Sequence, residues 1–151
     1  MPIIWTSIAA AVAPINTDIS VFIPLPRNID ESDKKLFSKK KLLEGLQGVL
    51  FPVGAMFEED NTMLNAMSMN RLLNSNYISI AYTIQRLRKC LVNKEKFTIT
   101  GFGSVSSFLG RRINSVYAGA KRALESYFES LAFDQNFKNI NIQSISPNIV
   151  R

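Results

Sequence analysis

The chain has 151 residues, of which 46% are apolar, so it is long enough for one domain with a buried core. One cysteine and no histidine exclude an internal disulfide and argue against a zinc site or a histidine-based catalytic triad, so we expect no bound metal. The net charge of +6 at pH 7 suits an anionic partner, and no run of 18 apolar residues predicts a membrane-spanning helix.

The first 18 residues are an atypical N-terminal segment that contains the apolar run IIWTSIAAAV, residues 3–12. The run lacks the preceding basic residues of a secretory signal peptide, so a cytoplasmic location is expected. It is compatible both with an added strand and with a helix that covers a neighbouring strand, and the sequence does not decide between the two.

Strand and helix patterns alternate from residue 19 onward. Residues 19–25, ISVFIPL, are β-branched and aromatic and predict a strand, whereas residues 31–46 predict a helix with Asp30 as its N-cap. The five lysines between positions 34 and 41 fill one side of this helix. We interpret them as a solvated face, because no aromatic or glycine pattern of a nucleic-acid module accompanies them, and we expect no nucleic-acid partner.

A short apolar run and a long helical stripe follow. Residues 48–53, GVLFPV, are typical of a buried parallel strand, which Gly54 ends. Asn76 interrupts the helical stripe, and a buried amide without partners costs on the order of 1–3 kcal/mol. From the residues alone we prefer an asparagine that satisfies the backbone of a kinked helix. The stripe consists of Met69, Leu73, Ile80, Ile84, Leu87 and Leu91.

The second half of the chain combines a strand, a turn and a helix. A strand at residues 97–100 leads into the turn Gly-Ser-Val-Ser-Ser, which contains Ser104. Tyr117 and Lys121 lie four residues apart in the following helix, so both side chains leave the same side of it. An ammonium held next to a phenol favours the phenolate and lowers the cost of proton loss. The apolar stripe of this helix consists of Val116, Ala120, Leu124, Phe128 and Leu131.

The order of these elements is typical of an α/β fold. The last predicted strand spans residues 140–146, directly before Pro147. The resulting βαβα pattern predicts a parallel sheet covered by helices, without a clear linker between separate domains.

Several residues resemble the reactive groups of a known family. Ser104, Tyr117 and Lys121 have the order and spacing of the serine and the Tyr-x-x-x-Lys motif of the short-chain dehydrogenases/reductases. Asn76 lies 22 residues after Gly54 and 28 residues before Ser104. This place is similar to that of a family asparagine that holds a water molecule in a proton relay.

Other stretches depart from the family pattern. Residues 51–54, FPVG, stand where the family has Asn-Asn-Ala-Gly, and residues 146–148, SPN, stand where it usually has Pro-Gly. The family's N-terminal glycine-rich turn and its C-terminal substrate lid have no counterpart. The resemblance therefore implies an α/β fold with a partial Rossmann-like doubly wound parallel sheet, a three-layer α/β/α arrangement truncated at both ends. We expect a single domain over residues 1–151, with residues 19–151 as the short-chain dehydrogenase-like core, and a fragment of a longer enzyme.

The resemblance implies an NAD(P)-dependent oxidoreductase that transfers hydride between a nicotinamide and a small carbonyl or alcohol substrate. By this resemblance, Tyr117 is the general acid or base, and Lys121 lowers its pKa and binds the nicotinamide ribose. Ser104 polarises the substrate oxygen, with Ser106 and Ser107 of the same turn as the alternatives, and Asn76 holds a water molecule. The implied cofactor is NAD or NADP, although the chain has no glycine-rich phosphate-binding turn. The implied cofactor-binding positions are Gly54, Tyr117, Lys121, Pro147, Asn148 and Ile149.

The resemblance also implies a homodimer or homotetramer formed through the helices that carry Asn76 and Tyr117. Tyr127, Phe128 and Phe133 are then the expected interface residues. The alternative function is that of a non-catalytic truncated relative, which keeps these helices as an interaction or dimerisation module and binds no nucleotide. The sequence indicates neither the substrate nor the choice between NAD and NADP.

Overall fold

In the computed structural model, the described residues are 8–11, 20–23, 47–56, 64–91, 94–109 and 114–147. The helix predicted at residues 31–46 and the positions Asn148 and Ile149 lie outside these residues. Within the described ranges, no helix has the length and hydropathy needed to cross a membrane. The same ranges contain no group of three or more side chains suited to hold a metal ion.

Five strands are described, namely β1 (Ile8–Ala11), β2 (Ser20–Ile23), β3 (Gly48–Phe51), β4 (Phe97–Phe102) and β5 (Ile140–Ile145). The last three form one sheet with β4 in the middle, and both pairs of neighbours are parallel. The sequence placed these three strands to within two residues at each end, and the parallel arrangement is confirmed. Because the strands are parallel, the residues that follow their carboxyl ends lie along one edge of the sheet.

β1 and β2 form a separate antiparallel pair, in which Ile8 lies opposite Ile23 and Ala11 opposite Ser20. The expectation that residues 19–25 join a parallel sheet is therefore wrong for the part that is described. Eight residues separate the two strands, enough for an antiparallel return but fewer than the roughly one dozen that a parallel crossover needs. β1 also packs beside β3, so the described part of the N-terminal apolar run, residues 8–11, forms an added strand and not a covering helix.

A long helical segment joins β3 to β4. It consists of helix α1 (Ala66–Leu73), a π-helical turn (Asn74–Ile78) and helix α2 (Ser79–Leu91). The side chain of Asn65 caps the start of α1 by accepting the Ser68 N–H at 2.8 Å. In the π turn, the Ser79 N–H bonds to the carbonyl five residues back instead of four.

The π turn shifts the buried face of this segment by one residue. Leu72 is fully buried, whereas the predicted stripe residue Leu73 is half-buried and Met69 is largely exposed. The stripe residues of α2 are buried as predicted, and they are Ile80, Ile84, Leu87 and Leu91. An uninterrupted α-helix would place Leu73 on the same side as Ile80. The π turn contains one extra residue, so Leu72 takes that position instead.

Helix α3 (Ser115–Ala132) packs on the sheet through its predicted stripe. The ring of Phe128 is 3% exposed and lies over Gly101 of β4, so Phe128 belongs to the core and not to a subunit interface as the resemblance implied. Phe133, just after the helix, is 85% exposed. The buried residues of the predicted stripe are Ala120, Leu124, Phe128 and Leu131, and Val116 is half-buried.

Among the described residues, one hydrophobic core lies between α2 and α3 on one side and one face of the parallel sheet on the other. Alternate residues of β3 and β4, together with Ile140 of β5, point into it, which is the period expected for β-structure. The described residues therefore show one helical layer on this face. The strand residues of the core are Val49, Phe51, Phe97, Ile99 and Ile140.

Candidate active site

The site begins at the carboxyl ends of β3 and β4, which the side chain of Lys121 joins. The Lys121 ammonium donates hydrogen bonds of 2.8 Å to the carbonyl of Val53, after β3, and to the carbonyl of Phe102, at the end of β4. Lys121 lies on the first half of α3, which crosses this edge of the sheet. One side chain thus links two strand ends to the helix.

Lys121 is buried, with 2% of its surface exposed. Loss of water around the ammonium lowers the pKa of Lys121 from 10.5 to about 8, and the nearby negative charge of Glu125 opposes part of this change. The amine therefore titrates close to neutral pH while remaining largely protonated at pH 7.

Tyr117 lies one helical turn before Lys121, as its spacing predicted. The Lys121 amine nitrogen is 5.9 Å from the centroid of the Tyr117 ring, and the ring is half-buried. The structure therefore brings the phenol and the ammonium together.

Asn76 is fully buried within the π turn and makes three hydrogen bonds. Its amide nitrogen donates to the carbonyls of Ala55, at 2.7 Å, and Leu72, at 2.9 Å, and its oxygen accepts the Ala55 N–H at 3.2 Å. The preference for an asparagine that satisfies the backbone of an irregular helix is confirmed. Both amide hydrogens are used by backbone carbonyls, so the side chain also anchors the segment after β3.

Gly54 lies between Asn76 and Lys121. A Cβ atom at Gly54 would be 3.6 Å from both the Asn76 oxygen and the Lys121 amine nitrogen. These distances correspond to ordinary van der Waals contact, so the three residues form one packed cluster. The structure thus gathers three of the residues singled out in the sequence at the end of β3.

Ser104 lies just past the end of β4, two residues after Phe102, whose carbonyl accepts a hydrogen bond from Lys121. It begins a short 3₁₀ turn (Val105–Ser107), where its hydroxyl oxygen accepts the Ser106 N–H at 3.2 Å. Its own backbone N–H donates to Glu125 Oε1 at 3.3 Å. The Ser104 turn is therefore attached directly to α3, the helix that carries the tyrosine and the lysine.

Glu125 is a residue of this site that the sequence reasoning missed. It is 3% exposed and lies one turn after Lys121 on α3. Its carboxylate accepts the Ser107 hydroxyl and, at 2.8 Å, the Ser146 hydroxyl that follows β5. The sequence contained one signal, an acid four residues after Lys121 and directly beside the stripe residue Leu124.

The predicted cofactor positions after β5 are only partly described. Ser146 reaches Glu125, so the end of β5 lies at the same edge of the sheet as the other groups. Pro147 follows it and is exposed. Asn148 and Ile149 lie outside the described residues.

The fold and the family follow from comparison with known proteins. The α/β arrangement is Rossmann-like, and the family model for short chain dehydrogenase matches residues 25–151. The chain belongs to this short-chain dehydrogenase/reductase family. It is 24% identical over 130 residues to the 3-oxoacyl-[acyl-carrier-protein] reductase FabG of Buchnera aphidicola subsp. Acyrthosiphon pisum (strain APS), a match that covers 83% of this chain and 51% of that protein.

Solved structures show the same fold at low sequence identity. The complex of 4-hydroxyisoleucine dehydrogenase with NADH has a TM-score of 0.70 and 20% identity, over 80% of this chain and 54% of that one. ElxO with NADP bound has a TM-score of 0.72 and 18% identity, over 82% and 50%. A ketone-specific alcohol dehydrogenase from Comamonas testosteroni has a TM-score of 0.72 and 17% identity, over 83% and 50%. The chain spans about half the length of the relatives it matches.

Proposed function

We propose that this chain belongs to an NAD(P)-dependent oxidoreductase, which transfers hydride between a nicotinamide and a small carbonyl or alcohol substrate. The observation that carries the proposal is the buried Lys121 ammonium held beside the Tyr117 ring at the carboxyl edge of a parallel sheet. Family membership and the NADH and NADP complexes of similar structures support it.

In this proposal Tyr117 is the general acid that protonates the developing alkoxide, or the general base in the reverse direction. The Lys121 cation favours the phenolate form that is left when the proton is given up. Proton transfer by a positioned side chain contributes roughly 10²- to 10⁴-fold to a reaction rate.

Lys121 also has a donor suited to the cofactor. An ammonium carries three N–H groups, and two of them donate to the carbonyls of Val53 and Phe102. The third holds a hydroxyl of the nicotinamide ribose in this proposal, and the absence of a side chain at Gly54 keeps the approach to it open. When bound, the nicotinamide supplies or accepts the hydride. Pro147, Asn148 and Ile149 complete the proposed cofactor contacts.

Ser104 and Asn76 have supporting roles. The Ser104 oxygen accepts a backbone N–H, which leaves the hydroxyl hydrogen to polarise the substrate oxygen. The Asn76 oxygen accepts one hydrogen bond from Ala55 and has a second lone pair. A relay water is therefore held as a donor to this oxygen, because the two amide hydrogens are already bonded.

Assembly and location are part of the same proposal. A homodimer or homotetramer forms through the helices that carry Asn76 and Tyr117, where half-buried Tyr127 and exposed Phe133 are available for contact. The protein acts in the cytoplasm. The second candidate function is a non-catalytic interaction module, which is favoured by the 85% exposed side chain of Phe133 directly after α3.

Cofactor titration separates the two functions. NADH and NADPH are added to the protein, and binding is followed by cofactor fluorescence. Saturable binding at micromolar concentrations supports the oxidoreductase, whereas no binding at millimolar concentrations supports the interaction module.

The assignment of the proton donor is tested by Tyr117→Phe. We expect reduction of a panel of ketones and aldehydes to fall by at least about 10²-fold, with an unchanged far-ultraviolet circular dichroism spectrum. Tyr127→Phe is the matched control, because Tyr127 lies on the same helix but bonds to Gln85, away from Lys121. Turnover retained in Tyr117→Phe would remove the assignment.

A further inference from the structure

The carboxylate of Glu125 is buried at the centre of the site, although nothing in the proposed reaction requires an acid there. It accepts hydrogen bonds from the Ser104 N–H and the Ser146 hydroxyl, and it shares the Ser107 hydroxyl with the Ser104 carbonyl. These donors belong to the turn after β4 and to the end of β5. A single side chain of α3 thus fixes two neighbouring strand ends against the helix that carries Tyr117 and Lys121.

We propose that Glu125 is the positioning residue of this site, which holds the Ser104 turn against α3 and supplies the counter-charge of the Lys121 ammonium. The inference rests on the proposed oxidoreductase function for its catalytic consequence. The structural and electrostatic roles of Glu125 can be tested without cofactor or substrate. The inference about Glu125 and the proposed oxidoreductase function can therefore fail separately.

The backbone around Glu125 is shaped to admit the carboxylate. A Cβ atom at Gly103 would lie 2.0 Å from Glu125 Oε1 and 2.5 Å from the Ser146 hydroxyl oxygen. No side chain can occupy position 103 while the carboxylate keeps its hydrogen bonds. Glycine is therefore required here, because the Glu125 carboxylate lies directly against the backbone. A buried carboxylate is costly unless hydrogen bonds satisfy it, and here the chain provides both the space and the donors.

Glu125 also acts on Lys121 through its charge. Burial lowers the pKa of Lys121, and the negative charge of Glu125 raises it again in part. Around Lys121 the other described groups are the Tyr117 phenol, the neutral Asn76 amide and two backbone carbonyls. Arg122 is the second cation near Glu125, with its guanidinium 3.9 Å from the carboxylate. Glu125 is therefore the anion that favours the charged form of Lys121.

The charge is tested by comparing Glu125→Gln with Glu129→Gln. Glutamine keeps the size and one acceptor oxygen of Glu125 but removes the charge. Glu129 is an acid one turn further along α3, exposed and 3.7 Å from Arg122, so its replacement removes the same charge from the same helix at a distance from Lys121.

The readout is the titration of Lys121 in the cofactor-free protein, followed by nuclear magnetic resonance of lysine labelled with ¹³C at Cε. Lys121→Arg assigns the signal. We expect Glu125→Gln to shift the titration midpoint of Lys121 to lower pH, because the negative charge that favours the ammonium is lost, and Glu129→Gln to leave the midpoint unchanged. An unchanged Lys121 titration in Glu125→Gln would overturn the inference.

Glu125→Asp keeps the negative charge but has a side chain shorter by one methylene group. This variant replaces Glu125→Gln in the test if the glutamine variant does not fold. We expect Lys121 to titrate near its wild-type midpoint in Glu125→Asp, while kcat falls because the Ser104 turn loses its acceptor. In Glu125→Gln we expect the alkaline fall of kcat to move to lower pH, because Lys121 loses its proton earlier. A pH profile of kcat identical to wild type in both variants would contradict a positioning role, even if Tyr117→Phe confirms the oxidoreductase.

Discussion

The buried ammonium of Lys121 makes the stability of the protein depend on pH. The pKa of Lys121 falls from 10.5, the value of a solvated lysine, to about 8 in the folded protein. Between these values the unfolded chain binds more protons than the folded one, so the free energy of unfolding rises with pH. The two values differ by about 2.5, which at about 1.4 kcal/mol for each pKa unit is about 3.5 kcal/mol. This penalty on the folded state is fully present below pH 8 and is relieved as the pH approaches 10.5.

Lys121→Met removes the titrating group and keeps an unbranched chain of similar length. It also leaves the carbonyls of Val53 and Phe102 without their donor, a cost that does not change with pH. We therefore expect the stability of the wild type relative to Lys121→Met to increase by about 3 kcal/mol between pH 7 and pH 11. Urea unfolding, followed by circular dichroism at several pH values, measures this difference as a shift in midpoint of about 1–3 M.

The control is Lys96→Met, which removes an ammonium from an exposed position between α2 and β4. Water solvates that charge in the folded and the unfolded chain, so we expect its effect to stay within about 0.5 kcal/mol. A difference between wild type and Lys121→Met that is the same at pH 7 and pH 11 would refute the reasoning about burial of the amine.

Two further substitutions test the packing around the site. Asn76→Ala leaves the N–H and carbonyl of Ala55 without partners. We expect the free energy of unfolding, measured in urea, to fall by about 2–5 kcal/mol. The control Asn74→Ala, at an exposed position of the same π turn, should lower it by less than about 0.5 kcal/mol. Equal losses would contradict the role given to the buried amide. Gly101→Ala places a Cβ 2.7 Å from the ring of Phe128 and should lower stability by about 1–3 kcal/mol. Combination with Phe128→Leu should cost less than the sum of the two single changes, and strict additivity would show that the ring and the glycine do not compete for space.

Features that depend on geometry within one element could be predicted from the sequence. The stripe on α3 and the four-residue spacing of Tyr117 and Lys121 both express the period of a single helix. The three parallel strands followed from short apolar runs bounded by helical segments. The family resemblance added the grouping of Ser104 with these residues, and the structure places that turn against the same helix.

Features that depend on contacts between distant segments could not be predicted in this way. The pairing of β1 with β2 is set by the chain folding back over eight residues, not by the composition of either strand. Burial of Leu72 in place of Leu73 follows from the π turn, where Asn76 bonds to Ala55 across 21 positions. Glu125 is buried because the turn after β4 and the end of β5 supply its hydrogen-bond donors. The residues next to Glu125 in the sequence do not predict these contacts.

The π turn lets the segment between β3 and β4 contain one residue more than an uninterrupted α-helix of the same phase. Each residue of an α-helix advances the chain by about 100° around the axis. Deletion of one residue within Asn74–Ile78 would place Leu72 seven residues before Ile80, which is within about 20° of the same side of an uninterrupted α-helix. The orientation of α1 relative to α2 would therefore be kept, and we expect related chains to differ by one residue at this turn without a change in the packing of either helix.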